Sequence, residues 1–251
     1  MKKHYPVMLL TAALTLGAGI TTQAHPVDLG RALGSAVKAG QALSLSDQEV
    51  IAYAAEGCAA EDKSNRIASG KDAYATRLAR VVKGLENEDG LKLDFKAYID
   101  PEVNAWSTAN GCIRVFSGLM DIADDDELRS VIGHEIGHIK LGHSRQRMRT
   151  ALLAAAGREG LQSSTGKLGA FAGGDAGKFM EGVLKAQFSQ KDEYASDEYA
   201  YRFMLRRGFN AQAEVTLLRK LSSTGGLTAS HPGSEARGKR IQKMIESDRK
   251  K

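Results

Sequence analysis

The sequence predicts an α+β fold, mostly helical, with a small antiparallel sheet or hairpin beside its most histidine-rich helix. Three observations carry this. Apolar residues recur at helical spacing through most of the chain after residue 43, and a central stretch from Leu93 to Gly118 switches to a period of two. Within that stretch Asn110-Gly111 stands between two apolar runs, the strongest short-range signal for a two-residue hairpin turn.

At 251 residues the chain can bury a sizeable core, and one domain is the simpler reading. It begins MKKHYPVMLLTAALTLGAGITTQAHP, with Lys2 and Lys3, an apolar run from Val7 to Ile20, and small residues at Thr22 and Ala24. This is the pattern of a secretory signal peptide, residues 1–24, cut after Ala24. The apolar run is only about 14 residues and diluted by Thr and Gly, against about 20 for a membrane span. No cysteine follows it, so a lipid anchor is not expected. Losing Lys2 and Lys3 lowers 35 Lys plus Arg to 33 against 30 acids, so the formal charge falls from +5 to +3. That balance is too mild for nucleic acid, and no basic cluster is interleaved with aromatics. No later stretch approaches 18 uncharged apolar residues, so no membrane span is expected in the mature chain.

The elements follow in order. Residues 25–42 are rich in small residues and read as a peripheral segment before a domain over 43–251. A first helix begins at Ser44 or Ser46, with Val50, Ala54 and Cys58 at helical spacing. A second covers about 72–85, with Tyr74, Leu78, Val81, Val82 and Leu85 on one face, and residues 87–90 break it. LDFKAYI is a strand, alternating Leu93, Phe95, Ala97 and Ile99 with polar partners, and VNAWSTA and CIRVFSG form the hairpin. In the next helix Asp124 is the cap and Glu127 completes a capping box. Residues 150–180, rich in Ala, Gly and Ser, read as a mobile, partly helical connection. A long helix over about 180–207 stops at Gly208, and a pair over about 211–221 and 234–249 closes the chain.

The helix after Asp124 carries the chemistry, in the stretch HEIGHIKLGH. Positions i and i+4 share one face of a helix, so His134 and His138 can present imidazole nitrogens to one zinc ion, with Glu135 beside it as general base. Gly133 and Gly137 flank them with no side chain to crowd a substrate. His143 does not complete the set: its spacing from His138 is five, and on a continuing helix it lies opposite His134. It reads as a structural or surface histidine. A catalytic zinc takes three protein ligands and keeps one position open, so the third ligand comes from elsewhere. Acids at 192, 193, 197 and 198 are candidates; Glu193 and Asp197 share a face, one to reach the metal and the next to hold a ligand imidazole, though spacing alone chooses weakly among the four. Two cysteines, Cys58 and Cys112, in an exported chain are expected to pair, with two separate buried thiols as the alternative.

Four collinear stretches, VNAWSTANGCIRVFSGLM, DELRSVIGHEIGHIKLGH, QFSQKDEYASDEYA and SHPGSEARGKRI, resemble the HtpX/Ste24-type zinc metallopeptidases, in particular their soluble periplasmic branch. The resemblance runs from about Leu43 to Ile245. It implies a zincin-like metallopeptidase domain with one Zn2+ per chain. It assigns His134, His138 and Glu193 as ligands, Glu135 as general base and Asp197 as the carboxylate behind a ligand. It places His231 near the active site, facing the metal or steadying the transition-state oxyanion, and Arg237 in the slot of a recurrent arginine. Asn104, Ala105 and Trp106 match the substrate-binding edge strand, with Trp106 where phenylalanine is usual. The cysteine pair matches that branch too. Members of the branch are commonly lipoproteins, which this chain departs from.

The expected activity is a periplasmic zinc endopeptidase hydrolysing peptide bonds in misfolded or unfolded envelope proteins. An alternative is a periplasmic chaperone or assembly factor for outer-membrane proteins whose protease activity is self-inhibited. A purely structural zinc domain is a weaker third.

Overall fold

The computed structural model describes residues 45–159, 176–224 and 230–250. The signal peptide, the segment 25–42 and the middle of the Ala/Gly-rich connection lie outside the described residues. The elements in chain order are α1 (Asp47–Ser64), α2 (Ala73–Val81), β1 (Asp94–Tyr98), β2 (Ala105–Ser107), β3 (Cys112–Phe116), α3 (Ser117–Ile122), α4 (Asp125–Lys140), α5 (His143–Glu159), α6 (Ala176–Lys185), α7 (Gln190–Arg206), α8 (Gln212–Thr224) and α9 (Ser234–Asp248). This is the mostly helical α+β arrangement expected.

Local chemistry starts the helices where the sequence indicated. Ser46 and Glu49 form a capping box at α1, and Asp124 and Glu127 form one at α4. The long helix expected over 180–207 is instead two, α6 and α7, because Ser189 and Asp192 build a third capping box that starts a new helix inside the expected one. Residues 150–159 are the end of α5 and 176–180 the start of α6, so both flanks of the Ala/Gly-rich connection are helical.

The sheet is mixed rather than antiparallel, with strand order β1-β3-β2. β2 and β3 are the expected antiparallel hairpin, but β1 runs parallel to β3, pairing Asp94 with Cys112 through to Tyr98 with Phe116. β3 is buried along its whole length and takes the centre, while the 99–104 segment carries the chain past it to the far edge. Gly118 N to Asp100 O at 2.9 Å and Phe116 N to Asn104 O at 3.0 Å pin that crossing. The hairpin loop has three residues, not two: Gly111 N bonds Thr108 O, Thr108 N bonds Cys112 O, and Gly111 takes φ +90°.

Cys58 and Cys112 are bonded, tying α1 to the start of β3. The surrounding cluster holds Tyr98, Trp106 and Phe116. Beside it Arg114, on the central strand with a side chain 1% exposed, bonds Asp62 of α1 and Asp94 of β1. The largest core cluster lies between the sheet and α2, α4, α7, α8 and α9; a smaller one joins α1, α5 and α6 through Val50, Ala54, Met148 and Met180.

Two glycines decide how the site is assembled. A Cβ on Gly133 would stand 2.6 Å from Phe203 Cδ1, and one on Gly137 would stand 3.1 Å from Tyr199 Cδ1 and 3.2 Å from Ser196 Cα. These glycines therefore face α7, not a substrate, contrary to the sequence expectation. Their missing side chains let α4 and α7 approach closely, which sets the i, i+4 pair His134/His138 against the i, i+4 pair Glu193/Asp197.

Candidate metal centre

His134, His138, Glu193 and His231 each offer one ligand atom, and these atoms lie within 4.8 Å of one another, all on buried side chains. His138 Nε2 is 2.9 Å from His134 Nε2 and 3.3 Å from Glu193 Oε1. His231 Nδ1 is 3.3 Å from His134 Nε2 and 3.1 Å from Glu193 Oε1. Three imidazole nitrogens and a carboxylate oxygen converging in a buried space are the donors zinc prefers, so the residues present fit a divalent metal.

α4 supplies two donors from one face, α7 supplies the carboxylate, and the turn before α9 supplies His231. That turn is held by Phe188 N bonding Ser230 O at 3.2 Å, and Gly233, at φ +85°, starts α9. Arg237 in the first turns of α9 then reaches back. Its Nε and Nη2 bond both oxygens of Asp197 at 2.9 and 2.6 Å, and its Nη1 makes an ion-pair contact with Glu193 Oε2 at 2.6 Å, outside hydrogen-bonding angles. Asp197 Oδ1 also lies 3.0 Å from His134 Nδ1, which orients that ring. The arrangement places Asp197 and Arg237 behind the donors.

These contacts set the protonation states of the metal-free protein. Burial and the Arg237 charge push His134 down, but hydrogen bonds to Asp197 and Glu193 outweigh them and lift it to about 10. Burial pushes His138 well below its usual value, leaving a neutral imidazole whose lone pair is available. Burial pushes Glu193 up, and the three surrounding histidines more than reverse it, holding the carboxylate ionised.

Glu135 lies beside the donors, with Oε1 3.5 Å from His231 Nε2 and Oε2 sealed from solvent without a partner. β2 is packed next to it, through Ser107 Oγ to Glu135 O at 3.3 Å. β2 is the sheet edge. Because residues 104 and 108 bond to β3, the ladder alternates and Trp106 also faces β3, leaving the main-chain groups of Ala105 and Ser107 to face outward. Ser107 O already accepts from Arg147 Nη2 at 3.2 Å. Trp106 points its ring into the disulfide cluster, with Tyr98 at 5.9 Å between ring centroids, and does not face the site.

His143 is not on the far side of a continuing helix. α4 ends at Lys140, Gly142 takes φ +80°, and α5 begins at His143, so the chain turns and brings this ring back. Its Nδ1 is 3.2 Å from His138 Nδ1 and 3.2 Å from Ser196 Oγ, and its Nε2 is 3.5 Å from Asp192 Oδ1. It lies outside the four-residue donor set. Two further residues gave no sequence signal: Phe188 stacks on His138 at 3.8 Å between centroids, and Arg147 sits 4.0 Å over the Phe188 ring. Their positions depend on the α6–α7 break and on α5 packing, neither of which periodicity reveals.

A helix bearing two histidines and a glutamate, set against a second helix bearing a carboxylate, beside the buried edge strand β2, defines a metallopeptidase. The chain belongs to Peptidase family M48, whose pattern matches residues 72–245. It is 36% identical over 247 residues to Metalloprotease YcaL of Escherichia coli K12, covering 95% of this chain and 97% of that protein. It is 35% identical over 237 residues to Metalloprotease LoiP of the same organism, covering 92% and 94%. The beta-barrel assembly-enhancing protease of Escherichia coli K12 is 27% identical, and the match covers 88% of this chain but 46% of that protein. The protein is a metalloprotease.

Proposed function

We propose that this chain is a periplasmic endopeptidase, its domain spanning residues 43–251, that binds one zinc ion through His134, His138 and Glu193 and hydrolyses unfolded or misfolded envelope proteins. The convergence of four buried donor atoms around a sealed glutamate carries the reading. Export is supported by the N-terminal signal pattern and by the Cys58–Cys112 bridge, which persists in an oxidising compartment. No helix among the described residues is long and apolar enough to cross a membrane.

Zinc, when bound, supplies Lewis acidity that polarises the scissile carbonyl and makes water a nucleophile near neutral pH. An extended substrate strand pairs with the outer edge of β2, a buried strand in this structure, at Ala105 and at Ser107 N, the Ser107 carbonyl being held by Arg147. Unfolded chains offer such a strand and folded ones do not. Glu135 takes a proton from the attacking water and returns it to the leaving amine. Its unpartnered Oε2 is free to do so. His231, held by Glu193 on one nitrogen and near Glu135 with the other, donates to the carbonyl oxygen as charge develops there. Arg237 and Asp197 keep His134 and Glu193 in place.

A second reading, an assembly factor or chaperone for outer-membrane proteins with self-inhibited protease activity, is favoured by one observation. His231 Nδ1 lies within the donor set, where it can fill the position a catalytic zinc leaves open.

The test is the mature protein with casein as unfolded substrate, zinc-loaded, with and without chelator. Glu135→Gln is expected to bind zinc at the same stoichiometry yet cleave on the order of 100-fold slower or worse. Cleavage by that variant at the wild-type rate would remove the mechanism. Rescue of a deletion phenotype by Glu135→Gln would favour the assembly reading.

A further inference from the structure

One buried acid is left out of the chemistry above. Glu214, on α8, is 4% exposed, and neither carboxyl oxygen has a hydrogen-bond partner. Buried carboxyls are ordinarily satisfied, because one without a partner has lost its water and gained nothing in exchange. The nearby cation does not satisfy it: Arg237 is committed to Asp197 and Glu193.

Glu214 lines a cavity that also touches His134 and Glu135. The cavity is therefore within a side chain's length of the bond that Glu135 acts on. Val131 of α4 and Leu217, Leu218 and Leu221 of α8 give it an aliphatic side, and Asp197 and Arg237 line it as well. The space that a water centre can reach is about 30 Å³, a narrow slot with room for roughly two waters. An unbranched aliphatic stem matches such a slot better than an aromatic ring, and the sealed acid asks for a donor at the tip of that stem.

We propose, on the basis of the protease reading above, that this slot takes the tip of the side chain of the substrate residue flanking the scissile bond and that Glu214 reserves it for lysine, whose last methylene and ammonium match a space of about two waters. The methylene packs on the leucines and Val131, and the ammonium reaches Glu214. An apolar residue in the slot leaves the carboxyl without a partner, and an acidic one brings a second carboxyl into the same closed space. Selection follows from the cost of each wrong occupant as much as from the gain of the right one.

The experiment profiles cleavage sites in an unbiased peptide mixture by mass spectrometry for the zinc-loaded wild type, Glu214→Gln and Glu214→Leu. The wild type is expected to cut beside lysine at least 10-fold more often than beside leucine. Glu214→Gln loses that bias, and Glu214→Leu reverses it toward leucine and methionine. Glu214→Leu is also expected to melt no lower than the wild type, since it removes a buried unpartnered acid; a drop of 10 °C or more would make Glu214 a structural residue and overturn the proposal. A cleavage profile unchanged in Glu214→Leu would overturn it too, leaving a cavity that holds only water. A second arm measures binding of N-acetyl-lysine amide against N-acetyl-norleucine amide to Glu135→Gln, with and without Glu214→Leu. Lysine-selective binding that Glu214→Leu abolishes, in a protein that cleaves nothing, would sink the protease reading while keeping the slot. Cleavage with no lysine preference does the reverse.

Discussion

The Nδ1 of His143 lies 3.2 Å from the Nδ1 of His138, and its other nitrogen lies 3.5 Å from Asp192. His138 turns its Nε2 toward the donor set, so its Nδ1 proton is free to be donated to His143, whose Nε2 proton then faces a carboxylate. His134 is held in the same manner by Asp197 at 3.0 Å. Each of these two imidazoles thus has a partner fixing its tautomer. Loss of such a partner typically lowers metal affinity by about 10- to 100-fold. His143→Ala is expected to weaken zinc binding in that range, read by competition with a chromogenic chelator; affinity unchanged within twofold would show that the ring only packs.

Gly133 and Gly137 make a second expectation, one about the distance between helices. A methyl on Gly133 meets Phe203, which is fully buried and packed, so the strain moves α4 away from α7. Overpacking of this kind costs about 1–3 kcal/mol. Gly133→Ala is expected to lower the melting temperature and, because Glu193 and the two histidines lie on opposite sides of that contact, to weaken zinc binding as well. Stability lost with metal affinity intact would show that α7 follows α4 as one body.

These two cases show what the sequence did and did not carry. His134, Glu135 and His138 are legible because a helix fixes their relation over one turn, and capping boxes at Ser46 and Asp124 mark helix starts with nearby side chains. Spacing favours Glu193 only weakly over three other acids, and the resemblance strengthens it; what selects it physically is the approach of α7 permitted by two glycines, a relation across about 60 residues that no local pattern encodes. The direction of β1 is of the same kind. Alternation says which face of a strand is buried and is silent on whether the strand runs with or against its neighbour. His143 returns toward His138 because one glycine at φ +80° ends a helix that the flanking residues would continue.

Acid sensitivity should report the cluster joining α1 to the sheet. Burial raises the Asp62 carboxyl, but hydrogen bonds from Arg114, Lys96 and Tyr98 outweigh it and hold it at about 2. With a folded value below the usual 3.8, this group adds stability that is complete above pH 3.8 and is lost as pH falls through about 2. Asp62→Asn is expected to be less stable than the wild type at pH 6, with the gap closing between pH 4 and 2 as the wild type loses its advantage. Denaturant titration across that window measures it; a constant gap would place the effect in packing rather than charge.

The Cys58–Cys112 bridge closes a separation of 54 residues, which on the chain-entropy treatment restricts the unfolded state by about 4 kcal/mol. The Cys58→Ala, Cys112→Ala pair removes that restriction and also leaves two small gaps beside Tyr98, Trp106 and Phe116. A protein of this size shifts by about 2–4 °C per kcal/mol, so the double variant is expected to melt roughly 8–16 °C lower. The bridge and the four donor residues sit on different elements: it ties α1 to β3, whereas the donors come from α4, α7 and the turn before α9. Zinc affinity at 20 °C, well below the melting range, is therefore expected to stay within about threefold of the wild type, and the same holds for the wild type after reduction. A large loss of zinc on reduction, with the protein still folded by circular dichroism, would mean that the bridge positions β2 against Glu135 and that the redox state of the compartment reaches the site.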